Sequence, residues 1–183
     1  MHRDLSRQFP ALLTVIVPRH PVRGREIAED LRERGFRVAL KSAGEEPWQT
    51  NEIYVADSMG ELGLYFRLCP ISFIGGTLIA HGGHNPIEPA QLGSAIVHGP
   101  SMTNFQAIAD EMEKRKAALS VADRRELARA VALLLSDADE TERMTLAARG
   151  IAAEKAEVLR QIMAELAPFL NKLRQHETVH ARA

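Results

Sequence analysis

The chain is almost free of cysteine: Cys69 stands alone among 183 residues. No internal disulfide can form, and the reading is a reducing compartment, with Cys69 an inert packing residue beside an apolar run. Charge of one sign is missing too. Lys and Arg number 23 against 24 Asp and Glu, a formal net charge of -1. That removes the electrostatic case for sequence-independent nucleic-acid binding. No apolar run is long enough to span a bilayer, and the N-terminus lacks the apolar core of a signal peptide, so the chain as given reads as soluble. Three motifs are absent as well. Without G-x-x-x-x-G-K-[ST] a P-loop NTPase is out, without a strict G-x-G-x-x-G a dehydrogenase is disfavoured, and without G-x-S-x-G a hydrolytic nucleophile has no elbow. There is no internal repeat and no low-complexity tract. What remains, with 45% hydrophobic residues, is enough for one domain with its own core. The scant lead-in at Met1-His2-Arg3 makes the chain read as starting at a domain boundary, as a fragment would.

Apolar and polar segments alternate along the chain. Leu12 to Val17 is a continuous apolar run of the kind buried on both faces, and after Pro18-Arg19-His20-Pro21 the stretch Arg23 to Arg34 predicts a helix closed by Gly35. Phe36 to Leu40, Ile53 to Val55, Ile71 to Ile74, Ala95 to His98 and Ala118 to Val121 predict five more strands. Helices are expected over Met59 to Leu68, Pro86 to Leu92, Asn104 to Arg115, and most of the chain after Asp123. The Leu and Met stripes of those last helices read as core, and residues 171–183 as a polar, frayed tail behind a domain of residues 1–170. About six strand-helix cycles predict an α/β, Rossmann-like doubly wound parallel sheet, whose ligands bind outside the strand C-termini.

The segments following those strand ends carry the candidate chemistry. Gly75-Gly76 and Gly82-Gly83 lead through His84 to Asn85, a natural N-cap, and Pro86, a natural first helical residue. The helix start is therefore expected to aim N–H groups at an anion. Glu88, in that helix's first turn, suits ribose hydroxyls, whereas Glu61 is balanced between ribose recognition and a plain helix-dipole role. Arg19, stiffened by its prolines, can grip a phosphate, although alone it is no more than a solvated arginine. His81, His84 and His98 invite a metal, but two histidines three apart on a loop, with no cysteine or acidic cluster to complete the set, make ligand or loop hydrogen bonding the better reading.

The segments VPRHP, ADSMGELG, FIGGTLIAHGGHNPIEPAQLG and GPSMTNF together resemble 3-deoxy-D-manno-octulosonic acid (Kdo) transferases, strongly from Leu12 to Phe105 and loosely beyond. The resemblance implies the C-terminal, donor-binding half of a GT-B glycosyltransferase that moves Kdo from CMP-Kdo to a lipid A precursor at the cytoplasmic face of the bacterial inner membrane. It implies CMP contacts at Pro18 and Arg19, at Met59, Gly60 and Glu61, and at Asn85, Pro86, Ile87 and Glu88. Gly82, Gly83 and His84 become neighbours of the donor sugar or its phosphate. Ser58 and Ile87 stand where the family usually has threonine and leucine, mild changes that leave nucleotide binding intact. No cofactor beyond the CMP-Kdo donor is implied. The general base, the acceptor site and the membrane attachment would lie on an N-terminal domain, with no catalytic residue on this chain. The other readings are a nucleotide-sugar epimerase of the same architecture and a non-catalytic nucleotide-sugar binding module.

Overall fold

The strands are short apolar runs, rich in β-branched residues and alanine, that suit a sheet buried on both faces. The computed structural model describes residues 1–48 and 50–180, with side chains up to residue 169. It contains strands β1 (Thr14–Ile16), β2 (Val38–Leu40), β3 (Ile53–Val55), β4 (Ile71–Phe73), β5 (Ala95–His98) and β6 (Ala118–Ser120). Helices α1 (His2–Ser6), α2 (Gly24–Glu33), α3 (Leu62–Leu68), α4 (Ile87–Leu92), α5 (Gln106–Lys114), α6 (Arg124–Ser136) and α7 (Ala138–His180) complete it.

All strand pairs are parallel, but the six strands form two ladders, not one. Their orders are β1-β3-β2 and β4-β5-β6, and β1 shares no ladder with β4. The central strands explain the arrangement. β3 aligns Tyr54 with Val15 and Ala39, and β5 aligns Val97 with Phe73 and Leu119. Successive side chains of a strand point to opposite faces, so each central strand feeds two cores. Ile53 and Val55 join Ala28, Val38 and Leu40 on one face of the first ladder, while Tyr54 and Ala56 join Ala39 and Tyr65 on the other. Ile96 packs with Met102, Met112 and Ile151 on one face of the second ladder, and Ala95 and Val97 with Leu127, Leu134 and Met144 on the other.

The helix ends follow local chemistry. Asp123 caps α6 by accepting from Arg125 N at 2.6 Å and Glu126 N at 2.9 Å. α7 runs to His180, and residues 181–183 lie outside the described residues. One expectation for this helix needs correcting. Its apolar stripe is core only at first. Met144, Ala148, Ile151 and Ala152 are buried, but Leu146, Val158, Ile162 and Leu166 are exposed. The helix packs on α4, α6 and β5, and the stripe beyond Ala152 outruns those elements. No helix among the described residues is long and apolar enough to cross a membrane.

Candidate functional site

Within each ladder the parallel strands place their C-termini on one edge, and the segments leaving β1 to β5 hold the candidate residues. The exit of β4 is fixed to that of β5. Thr77, fully buried, donates its hydroxyl to Ile74 O at 2.6 Å and accepts from Gly99 N at 2.7 Å. Its carbonyl accepts from Ser101 N at 2.9 Å. Further along, Gly82 N donates to Ser101 Oγ at 3.2 Å and Asn104 N to Gly82 O at 3.1 Å. Gly82 and Gly83 lie at φ +87° and +71°, and a Cβ on Gly83 would sit 2.7 Å from Met102 Sδ. Only glycine meets both demands there, and the close approach leaves His84 and Asn85 presented by a stiff loop.

The start of α4 differs from the sequence expectation by one residue. Pro86, not Asn85, is the N-cap, and Asn85 Oδ1 reaches forward to accept from Ile87 N at 3.0 Å. The side chain still caps, but the consequence for an anion is large. Pro86 and Pro89 have no N–H, and that of Ile87 is taken, so the first turn offers the Glu88 N–H alone. The expected cradle of backbone donors is therefore mostly spent. Glu88 itself is half-buried in this turn, between the buried Pro86 and Pro89.

Positive charge is supplied by side chains instead. Arg19, exposed behind the half-buried Pro18, lies near enough to His84 to depress that imidazole's pKa. Burial is the larger cause of the depression, followed by Arg19 and then His81. The His81 and His84 rings meet edge to face with centroids 6.4 Å apart, and a Cβ on Gly75 would lie 3.9 Å from His84 Cδ2. Arg19 leaves the first ladder and His84 the second, so this cluster spans the seam between them. His98 takes no part. It is buried, pairs Nδ1 with Gly99 O at 2.9 Å, and turns Nε2 towards Glu113 Oε1 at 3.4 Å. Since a carbonyl only accepts, Nδ1 carries the proton in that contact. Among the described residues no group of three or more His, Cys, Asp or Glu is placed to hold a metal ion.

The exit of β3 holds the third segment. Met59 and Gly60 are exposed, and Gly60 lies at φ +86°. That left-handed residue delays the helix, so α3 begins at Leu62 and Glu61 is its N-cap residue, not part of a first turn opened at Met59. Glu61 is held from the exit of β2: Lys41 Nζ lies 2.6 Å from its Oε2, and the Ser58 hydroxyl donates to the same oxygen. Lys41, then Ser58, hold the Glu61 carboxyl below the usual range, and Glu61 pushes the Lys41 ammonium up. Beside this pair, Ser42 donates to the buried Asp57 from its N–H at 2.8 Å and its hydroxyl at 2.6 Å. Neither Lys41 nor Ser42 stands out as a candidate in the sequence. Their position directly after a strand, on the edge where the other candidates converge, was the available signal. α3 packs against α4, with Gly63 near the start of α3 facing Leu92 at the end of α4.

No family model matches the chain. A 3-deoxy-D-manno-octulosonic acid transferase of Haemophilus influenzae is 34% identical over 172 residues, 93% of this chain and 40% of that protein. The crystal structure of the C-terminal CMP-Kdo binding domain of WaaA from Acinetobacter baumannii superposes with a TM-score of 0.77 at 32% identity, covering 81% of this chain and 78% of that one. The chain belongs to the Kdo transferase family. Its fold is α/β, that of the C-terminal half of a GT-B glycosyltransferase. A family member from Arabidopsis thaliana, a probable mitochondrial 3-deoxy-D-manno-octulosonic acid transferase, is 38% identical over 147 residues, 78% of this chain and 33% of that protein. The chain thus spans 30–40% of the length of these and of a Rickettsia felis relative. The transferase names do not favour the epimerase reading.

Proposed function

We propose that this chain binds CMP-Kdo and supplies the donor half of an enzyme that transfers Kdo to a lipid A precursor. One observation supports the reading. The segments that carry the family resemblance, Pro18-Arg19, Met59-Gly60-Glu61 and Asn85-Pro86-Ile87-Glu88, follow β1, β3 and β4 in the chain, and Arg19 from the first ladder lies near His84, next to Asn85, from the second. Arg19, with His84 beside it, would offset the charge that builds on the CMP phosphate as the bond to Kdo breaks. The Glu88 carboxylate would accept from two neighbouring ribose hydroxyls, a task one carboxylate can do alone. Gly82 and Gly83 would let the loop approach the donor closely. Deprotonation of the acceptor hydroxyl falls to a base outside this chain, and acceptor binding and membrane association to the remaining length seen in the relatives. No cofactor enters this scheme.

The test is calorimetry with CMP on the wild-type chain and on Glu88→Ala. Loss of a charged hydrogen-bond acceptor is expected to weaken binding by about tenfold or more. Equal affinities would sink the ribose assignment, and no CMP binding by the wild type would sink the donor reading.

A further inference from the structure

The Lys41-Ser42 pair at the exit of β2 is not among the segments that carry the resemblance, yet it grips the Met59-Gly60-Glu61 turn at both ends. Ser42 holds Asp57 through two hydrogen bonds, at 2.8 and 2.6 Å, and Lys41 holds Glu61 at 2.6 Å. Asp57 is buried and cannot move far; a Cβ on Gly24 at the start of α2 would already overlap its side chain. Lys41 is itself steadied from behind, where its ammonium lies 3.4 Å from the hydroxyl of the buried Tyr65. The contacts on Glu61 are one-sided. The ammonium of Lys41 and the hydroxyl of Ser58 both address Oε2, leaving Oε1 as the oxygen that can accept from elsewhere.

We infer that Lys41 is a positioning residue for donor binding: by pinning Oε2 of Glu61 it turns Oε1 towards the nucleotide as a fixed acceptor for an N–H or O–H. This rests on the donor-binding reading above. The ligand group is a hydrogen-bond donor of the cytidine moiety, since a second negative group such as the phosphate would be repelled by the carboxylate. The charged groups around Glu61 are Lys41, with Tyr65 and Tyr54 behind it, and Lys41 is the cation that lowers the carboxyl's pKa. Removing the ammonium therefore frees the carboxylate to rotate and also lets it protonate at higher pH.

The experiment is a double-mutant cycle on CMP affinity with Lys41→Met, Glu61→Gln and both together, measured by calorimetry on the full chain and repeated between pH 4 and pH 7. Thermal melting of each variant checks that it is folded. Lys41→Met is expected to weaken CMP about three- to tenfold, and Glu61→Gln about tenfold. The double variant should match Glu61→Gln within about twofold, because a residue that acts through Glu61 has nothing left to position. The Lys41→Met to wild-type affinity ratio should fall further towards pH 4, and this loss should vanish in the Glu61→Gln background. The CMP phosphate and His84 titrate in both proteins and cancel in that ratio. Lys41→Arg, which keeps the ion pair, should stay within about threefold of wild type. Additive losses in the cycle, a flat ratio with pH, or no effect of Glu61→Gln would each overturn the inference while leaving donor binding intact. Failure of the wild-type chain to bind CMP would overturn the donor reading and this inference with it.

Discussion

Within the site, individual side chains have their chemistry set by neighbours that are distant in sequence. His84 is the clearest case. Burial, then Arg19 and then His81, keep its pKa below the ordinary imidazole value, so the free chain holds it mostly neutral near pH 6.5. A bound phosphate supplies the opposite charge and raises that pKa, so binding takes up a proton between the two values, and the contribution fades as pH rises through the raised one. Calorimetry of CMP binding near pH 6.5 in two buffers of different ionisation heat is expected to give different apparent enthalpies for the wild type. His84→Gln should show a smaller proton uptake; an unchanged uptake would remove His84 from the phosphate's surroundings. Arg19, Glu88 and His84 were all visible in the sequence as candidates, because polar residues after predicted strands converge by topology alone. The Lys41 to Glu61 pair was not, since 20 residues and a whole strand separate its members and no periodicity links them.

Elements were legible where a local signal ends them. The strand Ala95 to His98 is bounded by Gly93-Ser94 and Gly99-Pro100 and matches its expected range, whereas the run Leu12 to Val17 pairs only over Thr14–Ile16. The start of α4 moved by one residue because Asn85 caps in either frame and the two prolines leave few N–H groups to define a first turn. The lock between the exits of β4 and β5 could not be read at all, because Thr77 gives no sign in sequence that its hydroxyl meets Gly99. That lock predicts a specific sensitivity. A Cβ on Gly99 would overlap the Thr77 carbonyl, so Gly99→Ala must push the Gly75–Glu88 segment away from Ser101 to Asn104. It is expected to lower stability by about 1–3 kcal/mol in urea unfolding and to weaken CMP at the same time, although Gly99 would touch no ligand. Unchanged unfolding would mean that the two loops yield without cost.

At the scale of the molecule, the sequence led to the α/β class and the parallel strands but not to the division of six strands into two ladders, which depends on whether β1 and β4 approach closely enough to pair. The stripe of Val158, Ile162 and Leu166 was likewise read as core because periodicity reports a face and not what covers it. The proposed division of labour gives a whole-chain expectation: CMP binds, but CMP-Kdo and a lipid A precursor yield no transfer product by mass spectrometry until the remaining family sequence is supplied. Transfer by this chain alone would place a base on it. The seam between the ladders bears on this. With no backbone hydrogen bonds crossing from β1 to β4, the two halves are held there by helix packing, as between α3 and α4 and between α1 and α6. A nucleotide touching Arg19 on one side and Glu88 on the other becomes a removable rivet. The empty protein would then be free to breathe along that line, and the loaded one would melt as a single unit, with the donor itself completing the sheet's mechanical continuity.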